Sequence, residues 1–303
     1  MSVREVVDID ALTQMEEDSR PTRRRGRPRR RWSTVVVYVL LIGVGLTCLL
    51  PFYWLLRSSL MSDEQIFTFP PQWIPDPITW SNYSGAFEAA PFVRYFLNTL
   101  TIAVLVVVGT LLSTSAAAFA FSRLVWPGRR IVFGLLLSSL LLPWAVTLVP
   151  SFIGWQWLGF VDTFVPLTAP AFFAAGQGFN IFLLRQFFLQ IPIELDNAVY
   201  VDGGSPWTVY WRVILPLNKG PLTLVAIFST IFVWNDLLGP VIYLNSEENY
   251  TLSQGLASFT GTYTSDWGYL MAATLIVILP VVVLFFFAQR HIIEGVALTG
   301  LKG

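Results

Sequence analysis

Long apolar runs separated by short polar islands dominate the chain. The runs are Ser33 to Leu56, Tyr95 to Phe121, Ile131 to Pro150, Phe164 to Leu184, Leu222 to Leu244 and Tyr269 to Gln289. A helix needs roughly 20 apolar residues to cross a hydrocarbon core, so each run is long enough for one span. Pro143, Pro166, Pro170 and Pro280 fall in or near the runs. They predict kinks whose freed carbonyls must find neighbouring helices or water. Gly109, Ser113 and Ala116 to Ala118 give the second run a small-residue face suited to close helix packing. The pattern predicts an all-α integral membrane protein with six transmembrane helices.

The most structured polar island is residues 191 to 221, between the fourth and fifth runs. Pro192 suits a first helical position, and Glu194 and Asp196 fall in the first turn, where negative charge favours the helix dipole. Gly203 and Gly204 end that short helix, because glycine accepts the left-handed C-cap at little cost. Ser205 then caps a second helix, with Pro206 at its start, that runs through Trp211 towards Leu215-Pro216. A helix, a glycine elbow and a second helix make a rigid hairpin, which on a membrane protein is a docking surface.

Charge orients the spans. With the N-terminus in the cytoplasm, every basic residue except Arg57 and Arg94 falls on a cytoplasmic segment, and every short loop obeys the positive-inside rule. Both termini are then cytoplasmic, and so is the hairpin. The net charge of zero hides an arginine-rich arm, Arg-Arg-Arg-Gly-Arg-Pro-Arg-Arg-Arg at residues 23 to 31. Such a run can neutralise phosphates, but its place directly before an apolar span makes it a topology anchor. Residues 1–31 read as a disordered arm, 32–292 as the six-helix domain with its loop at 186–220, and 293–303 as a cytoplasmic tail.

Composition agrees. The 303 residues are 54% hydrophobic and 13% charged, against about 25% charged in a soluble domain. No cleaved signal peptide is expected, since the first apolar run begins late and has no small-x-small exit. Cys48 is the sole cysteine and His291 the sole histidine, so disulfide and metal chemistry are not indicated. The sequence has no P-loop, no Gly-x-Ser-x-Gly elbow and no His-Glu-x-x-His helix. None of these motifs points to an enzyme, and any ATP must be hydrolysed by another chain. Outside, residues 57 to 94 and 245 to 268 form two sizeable segments, the first rich in Pro, Trp and Tyr. These suit an interfacial aromatic belt, a contact surface for an extracytoplasmic protein, or both.

The hairpin resembles the signature loop of ABC-importer permeases: Glu-Ala-Ala, three residues, Gly, nine residues, then Ile-x-Leu-Pro. Here the pattern falls on Asn197, Ala198 and Val199, then Gly203, then Val213, Leu215 and Pro216. Asp202-Gly203 and Leu215-Pro216-Leu217 look like the carbohydrate-uptake, maltose-type branch. So do Phe179 to Gln186, Trp234-Asn235-Asp236, and the ending from Trp267-Gly268 to Leu301-Lys302-Gly303. The resemblance covers roughly residues 35 to 303. It implies a bacterial inner-membrane permease working by alternating access with four kinds of partner: a second homologous permease, two ATPase subunits or domains carrying ATP and Mg, an extracytoplasmic solute-binding protein, and a sugar-like solute. No cofactor is implied in this chain and no nucleic acid. The tail is implied to lie against the ATPase. The chain departs from the pattern where Asn197 replaces the family Glu, expected to pair with a basic residue of the ATPase; Glu194 and Asp196 are the acidic neighbours placed to compensate.

Asp236 is the only carboxylate inside an expected span, and an ionisable group there costs roughly 3 kcal/mol unless paired or wetted. Trp234, Asn235 and Asp236 either line a hydrated solute route or fix the bundle by capping and pairing. Gln177 and Asn180 in the fourth run are further route candidates, with interhelical hydrogen bonding as the alternative role. The expected route passes between the third, fourth and fifth spans rather than along the second. Two other functions are open at this stage. An ion-coupled secondary transporter would need inverted repeats and intramembrane ion ligands, and a non-transporting scaffold would leave the capped loop without a purpose.

Overall fold

A computed structural model describes residues 31–260 and 266–300, without the side chains of 31–33, 288 and 290–300. The arm expected over 1–31 therefore lies outside the described residues except for the backbone of Arg31, and the tail is described only as helical backbone to Gly300. Among the described residues every regular element is helical: α1 Arg31–Ser59, α2 Asp63–Ile66, α3 Ser81–Ala89, α4 Phe92–Ser122, α5 Arg129–Ser139, α6 Trp144–Trp157, α7 Val165–Phe172, α8 Gly178–Gln190, α9 Ile193–Val201 and α10 Pro206–Val209. There follow α11 Leu215–Leu217, α12 Lys219–Asn235, α13 Leu238–Tyr243, α14 Leu252–Ala257 and α15 Trp267–Gly300. Residues up to Tyr53 form one compact unit and Trp54 onward another. In the first, the side chains from Val35 to Leu50 are exposed on all faces of α1, as suits a helix surrounded by lipid.

Among the described residues three helices are long and apolar enough to cross a membrane: Thr34–Ser59 of α1, α4, and Trp267–Phe287 of α15. Two bent pairs raise the number to five, α5 with α6 at 99° and Pro206–Leu217 with α12 at 77°. The expected runs are thus more broken than the apolar pattern suggests. The third run splits at Leu140–Leu142, where i→i+3 hydrogen bonds close α5 and Pro143, in extended backbone, starts α6. A residue before proline is disfavoured in the helical region, so the break falls there.

The fourth run, Phe164 to Leu184, is not a continuous helix. The amide of Ala175 donates to the Pro170 carbonyl (3.0 Å) and that of Ala174 to the Ala171 carbonyl (3.4 Å). This is the paired bonding of a Schellman stop, and it places Ala174 at φ 56°. Gly176 at φ 72° then turns the chain into α8. The fifth run is interrupted at Asp236, whose backbone is extended between α12 and α13. Asp236 is therefore a cap at a helix break and not a residue inside a helix.

Helix α4 is the spine of the second unit, packing against α7, α8 and α12. Its small residues allow this approach. A Cβ on Gly109 would stand 2.7 Å from the Phe172 ring, and Ser113 Oγ donates to the Ala171 carbonyl at 2.6 Å. Near one end of α4, Tyr95 packs with Ala86, Phe92, Trp234, Leu252, Phe259 and Ala273. At its other end Ala118, Phe119 and Phe121 pack with Ile181, Leu184, Phe188, Val209, Tyr210, Ile214 and Val225.

The Tyr95 end is tied by polar bonds. Tyr95 Oη donates to Glu247 (3.0 Å), Arg94 pairs with Glu248 (3.4 Å), and Asn98 Nδ2 donates to the Glu248 and Tyr250 carbonyls. Asp162 joins two loops there. Its Oδ1 accepts the amides of Asn245 and Ser246, both at 2.9 Å, and the side-chain amide of Asn249 at 3.2 Å; its Oδ2 accepts from Ser246 Oγ. Asp162 holds φ 64°, a conformation aspartate tolerates better than most residues. These donors, the Ser246 hydroxyl first, hold its carboxyl well below the usual carboxylate range. Since the folded pKa is depressed, the contribution is fully present above about pH 4 and is lost as pH falls through the folded value. Asp162→Ala should open this loop pair to protease at neutral pH, with Asp162→Asn intermediate. The difference between parent and Asp162→Ala should shrink as pH is lowered below about 4.

Candidate functional site

The hairpin forms as the local sequence dictates. Helix α9 begins after Pro192, with Glu194 and Asp196 in its first turn. It ends in a Schellman stop, with Gly204 N–H bonded to the Val199 carbonyl (2.8 Å) and Gly203 N–H to the Tyr200 carbonyl (3.0 Å). Gly203 sits at φ 81°, and a Cβ added there would meet nothing within 4 Å, whereas a Cβ on Gly204 would meet Val199 at 2.4 Å. Gly203 is thus required for conformation and Gly204 for space. Ser205 and Thr208 form a reciprocal capping box over α10.

From α10 the chain passes through one wider, π-type turn, Tyr210–Ile214, into Leu215–Pro216. Asn218 marks the bend into α12. It is buried, and its side-chain amide donates to the Ile214 carbonyl at 2.7 Å. Tyr210 Oη lies 2.7 Å from Ser115 Oγ of α4, with its ring 5.2 Å from that of Phe119. The second half of the hairpin is therefore part of the transmembrane core.

Asp196 differs from its expected role. It is 1% exposed, with Oδ2 3.4 Å from Arg123 Nε at the end of α4. Arg123 also donates from Nη2 to the Phe188 (2.9 Å) and Ile191 (2.7 Å) carbonyls at the end of α8. Burial pushes the Asp196 carboxyl up, and the nearby Arg123 only partly opposes this. Asp196 cannot offer charge to a partner because it is enclosed; of the two compensating acids only Glu194 is exposed. Asn197, Ala198, Asp202, Gly203 and Pro216 are also exposed, while Leu215 is half-buried.

Between these residues lies an apolar surface that the motif does not mark. Ile193, Leu195, Tyr200, Val201, Trp207 and Trp211 are all exposed, Val201 to 86%. Several large apolar side chains exposed on one short segment indicate a partner. The residues themselves stand in the sequence, but the same island holds other large apolar residues, among them Val209, Tyr210 and Ile214, that are buried, so which of them face outward was not legible there.

The second feature is a cavity of about 530 Å³ at the middle of α4, framed by α4, α7, α8, α12 and α13. Gln177, Asn180 and Asp236 line it, as do Ser229, Tyr243 and Thr251. Asn180 Nδ2 donates to Gln177 Oε1 at 2.7 Å. The break at residues 173–177 brings these amides to the cavity. Asp236 Oδ1 accepts the Gly239 amide (3.1 Å), and its carbonyl accepts from Ser253 Oγ (2.6 Å). Trp234 is not at the cavity: it is buried, donates to the Val277 carbonyl at 3.1 Å and packs on Phe96. Asn235 is exposed and bonds back to the Ile231 carbonyl of its own helix. The expected tripeptide thus divides over three environments, because successive residues at a helix end point in different directions. The second span also contributes to the lining, through Ile102 and Val106.

Arg123 should matter more than its partner. Arg123→Ala removes two carbonyl bonds and leaves Asp196 buried without its cation, a loss of about 3–5 kcal/mol. Asp196→Asn leaves Arg123 its two carbonyl acceptors and should cost about half as much. Thermal unfolding of the purified chain gives the order; equal losses would contradict the clamp.

Residues 109–297 match the family described as "Binding-protein-dependent transport system inner membrane component". The diacetylchitobiose uptake system permease protein DasC of Streptomyces coelicolor is 31% identical over 90% of this chain and 98% of its own length. The arabinooligosaccharides transport system permease protein AraQ of Halalkalibacterium halodurans is 30% identical over 91% and 100%. The sn-glycerol-3-phosphate transport system permease protein UgpE of Yersinia pestis is 29% identical over 88% and 96%. The fold is that of a chain in the crystal structure of a bacterial ABC transporter that imports the acidic polysaccharide alginate, with a TM-score of 0.75 and 22% identity over 87% of this chain and 98% of that one. These relatives are transport components and not enzymes, which sets aside the secondary-transporter and scaffold alternatives. The chain belongs to the binding-protein-dependent transport system inner membrane component family, as a membrane-embedded permease subunit of an ABC importer.

Proposed function

We propose that this chain is one of two permease subunits of an ATP-driven importer for a sugar or similar polyhydroxylated solute, working by alternating access. Its partners are a second homologous permease, two ATPase subunits or domains that carry ATP and Mg, and an extracytoplasmic binding protein. Six spans result if α7 and α8 are counted as one interrupted span. Both termini and the hairpin are cytoplasmic, in keeping with Arg123, Arg129, Arg130, Arg185, Arg212 and Lys219 at the hairpin end and Glu247 and Glu248 at the other. The observation that carries the reading is mechanical. Val209, Tyr210 and Ile214 of the hairpin share one apolar cluster with α4, α8 and α12, and those helices also frame the cavity.

On this reading the ATPase grips the apolar face around Ile193, Tyr200, Val201 and Trp207, with Glu194 and Asp202 at its edge. Asn197 contributes shape and hydrogen bonding there in place of the family's charge. Nucleotide binding biases the complex only if the dock fits one state better than the other. Movement of the hairpin would then be passed through its buried cluster to the cavity walls, where Gln177 and Asn180 offer amide groups to solute hydroxyls.

Gly203→Val should strain the left-handed stop by about 1–2 kcal/mol. Transport and solute-stimulated ATPase activity of the reconstituted importer should fall several-fold while membrane insertion persists, and Gly203→Asn should be tolerated. Coupled transport at the parental rate in an assembled Gly203→Val complex would reject the dock. At the cavity, Asn180→Ala should raise the half-saturating solute concentration about tenfold, whereas Asn235→Ala should transport like the parent. The opposite order in the same uptake assay would move the route away from this cavity.

A further inference from the structure

The cavity has an unbalanced electrostatic lining. Asp236 is its only acidic residue, and no Lys, Arg or His lines it. Neither ion pair among the described residues involves Asp236. Its carboxylate accepts a backbone amide from Gly239. The remaining polar groups, Gln177, Asn180, Ser229, Tyr243 and Thr251, are uncharged and carry both donors and acceptors. The other walls are apolar and include Phe179, Phe228 and Phe232, all exposed. Low-dielectric walls around a charge of one sign focus its field into the cleft. A phosphate, sulfate or uronate would meet this field with no cation to offset it and would lose hydration for nothing. An uncharged polyol would meet amides, hydroxyls and ring faces, and an ammonium group would be attracted.

We infer that this cavity discriminates by charge, admitting uncharged or cationic polyhydroxylated solutes and rejecting anions, with Asp236 as the discriminating residue. The inference rests on the cavity lying on the solute route and narrows the solute class.

Its test does not require transport. In a Cys48→Ser background, Ala175→Cys and Ser229→Cys place single thiols on two walls of the cavity. Membrane vesicles bearing the full chain are treated with a cationic methanethiosulfonate (ethyltrimethylammonium) and an anionic one (ethylsulfonate). The ratio of the two modification rates, relative to that of a free thiol in solution, should favour the cation by about tenfold. Adding Asp236→Asn should return the ratio to the free-thiol value. A ratio at or below that value in the parent would overturn the inference, and so would a preference that survives Asp236→Asn. Thiols that react with neither reagent would show that solute-sized molecules do not enter, and would overturn it too. Failure of Asn180→Ala to affect uptake, by contrast, bears on the route alone and leaves the measured charge preference standing.

Discussion

A backbone carbonyl with no partner costs several kcal/mol inside a bilayer, yet this chain interrupts its helices repeatedly. At several of these helix ends a side chain donates to a carbonyl at or next to the break. Asn218 bonds the Ile214 carbonyl at the bend into α12, and Ser113 bonds the Ala171 carbonyl at the stop of α7. Arg123 bonds two carbonyls at the end of α8, and Arg185 Nε bonds the Phe121 carbonyl in the last turn of α4 (3.1 Å). The breaks are what give the protein a cavity and a hairpin, and these side chains help to fix the chain where it bends.

The same requirement explains why charges are buried at the hairpin end. Arginine reaches from one helix to the carbonyls of another while its stem packs on apolar surface; the Arg185 guanidinium lies 4.5 Å over the Phe133 ring. Arg123 joins α4, the end of α8 and the first turn of α9 through a single group. Such a pair contributes little net stability once desolvation is counted. Its effect is to hold the hairpin in one position relative to two membrane helices.

The two ends of α4 are built differently. The hairpin end is mainly an apolar cluster with arginine clamps. The opposite end combines aromatic packing with a hydrogen-bonded network among Asp162, Asn245, Ser246 and Asn249. A rigid frame at each end with a less filled middle leaves space at Ile102 and Val106. On the proposed function, the solute route passes through that middle.

Much of this was legible in order along the chain. The apolar runs placed most of the long helices, and the caps at Pro192, Gly203 and Ser205 gave the hairpin, because those signals depend on neighbours within four residues. The spacing from Asn197 to Pro216 gave the family for the same reason. What the runs concealed was their breaks: an apolar segment reads alike whether helix continues or stops, and the stop at Ala174 carries no glycine at the critical position. The positions of Asp196, Trp234 and Asn235 were also beyond the sequence. Whether a side chain on α9 or α12 faces core, cavity or solvent depends on which helix lies against it, and that is settled by contacts between residues far apart in the chain, such as Arg123 with Asp196 and Trp234 with Val277.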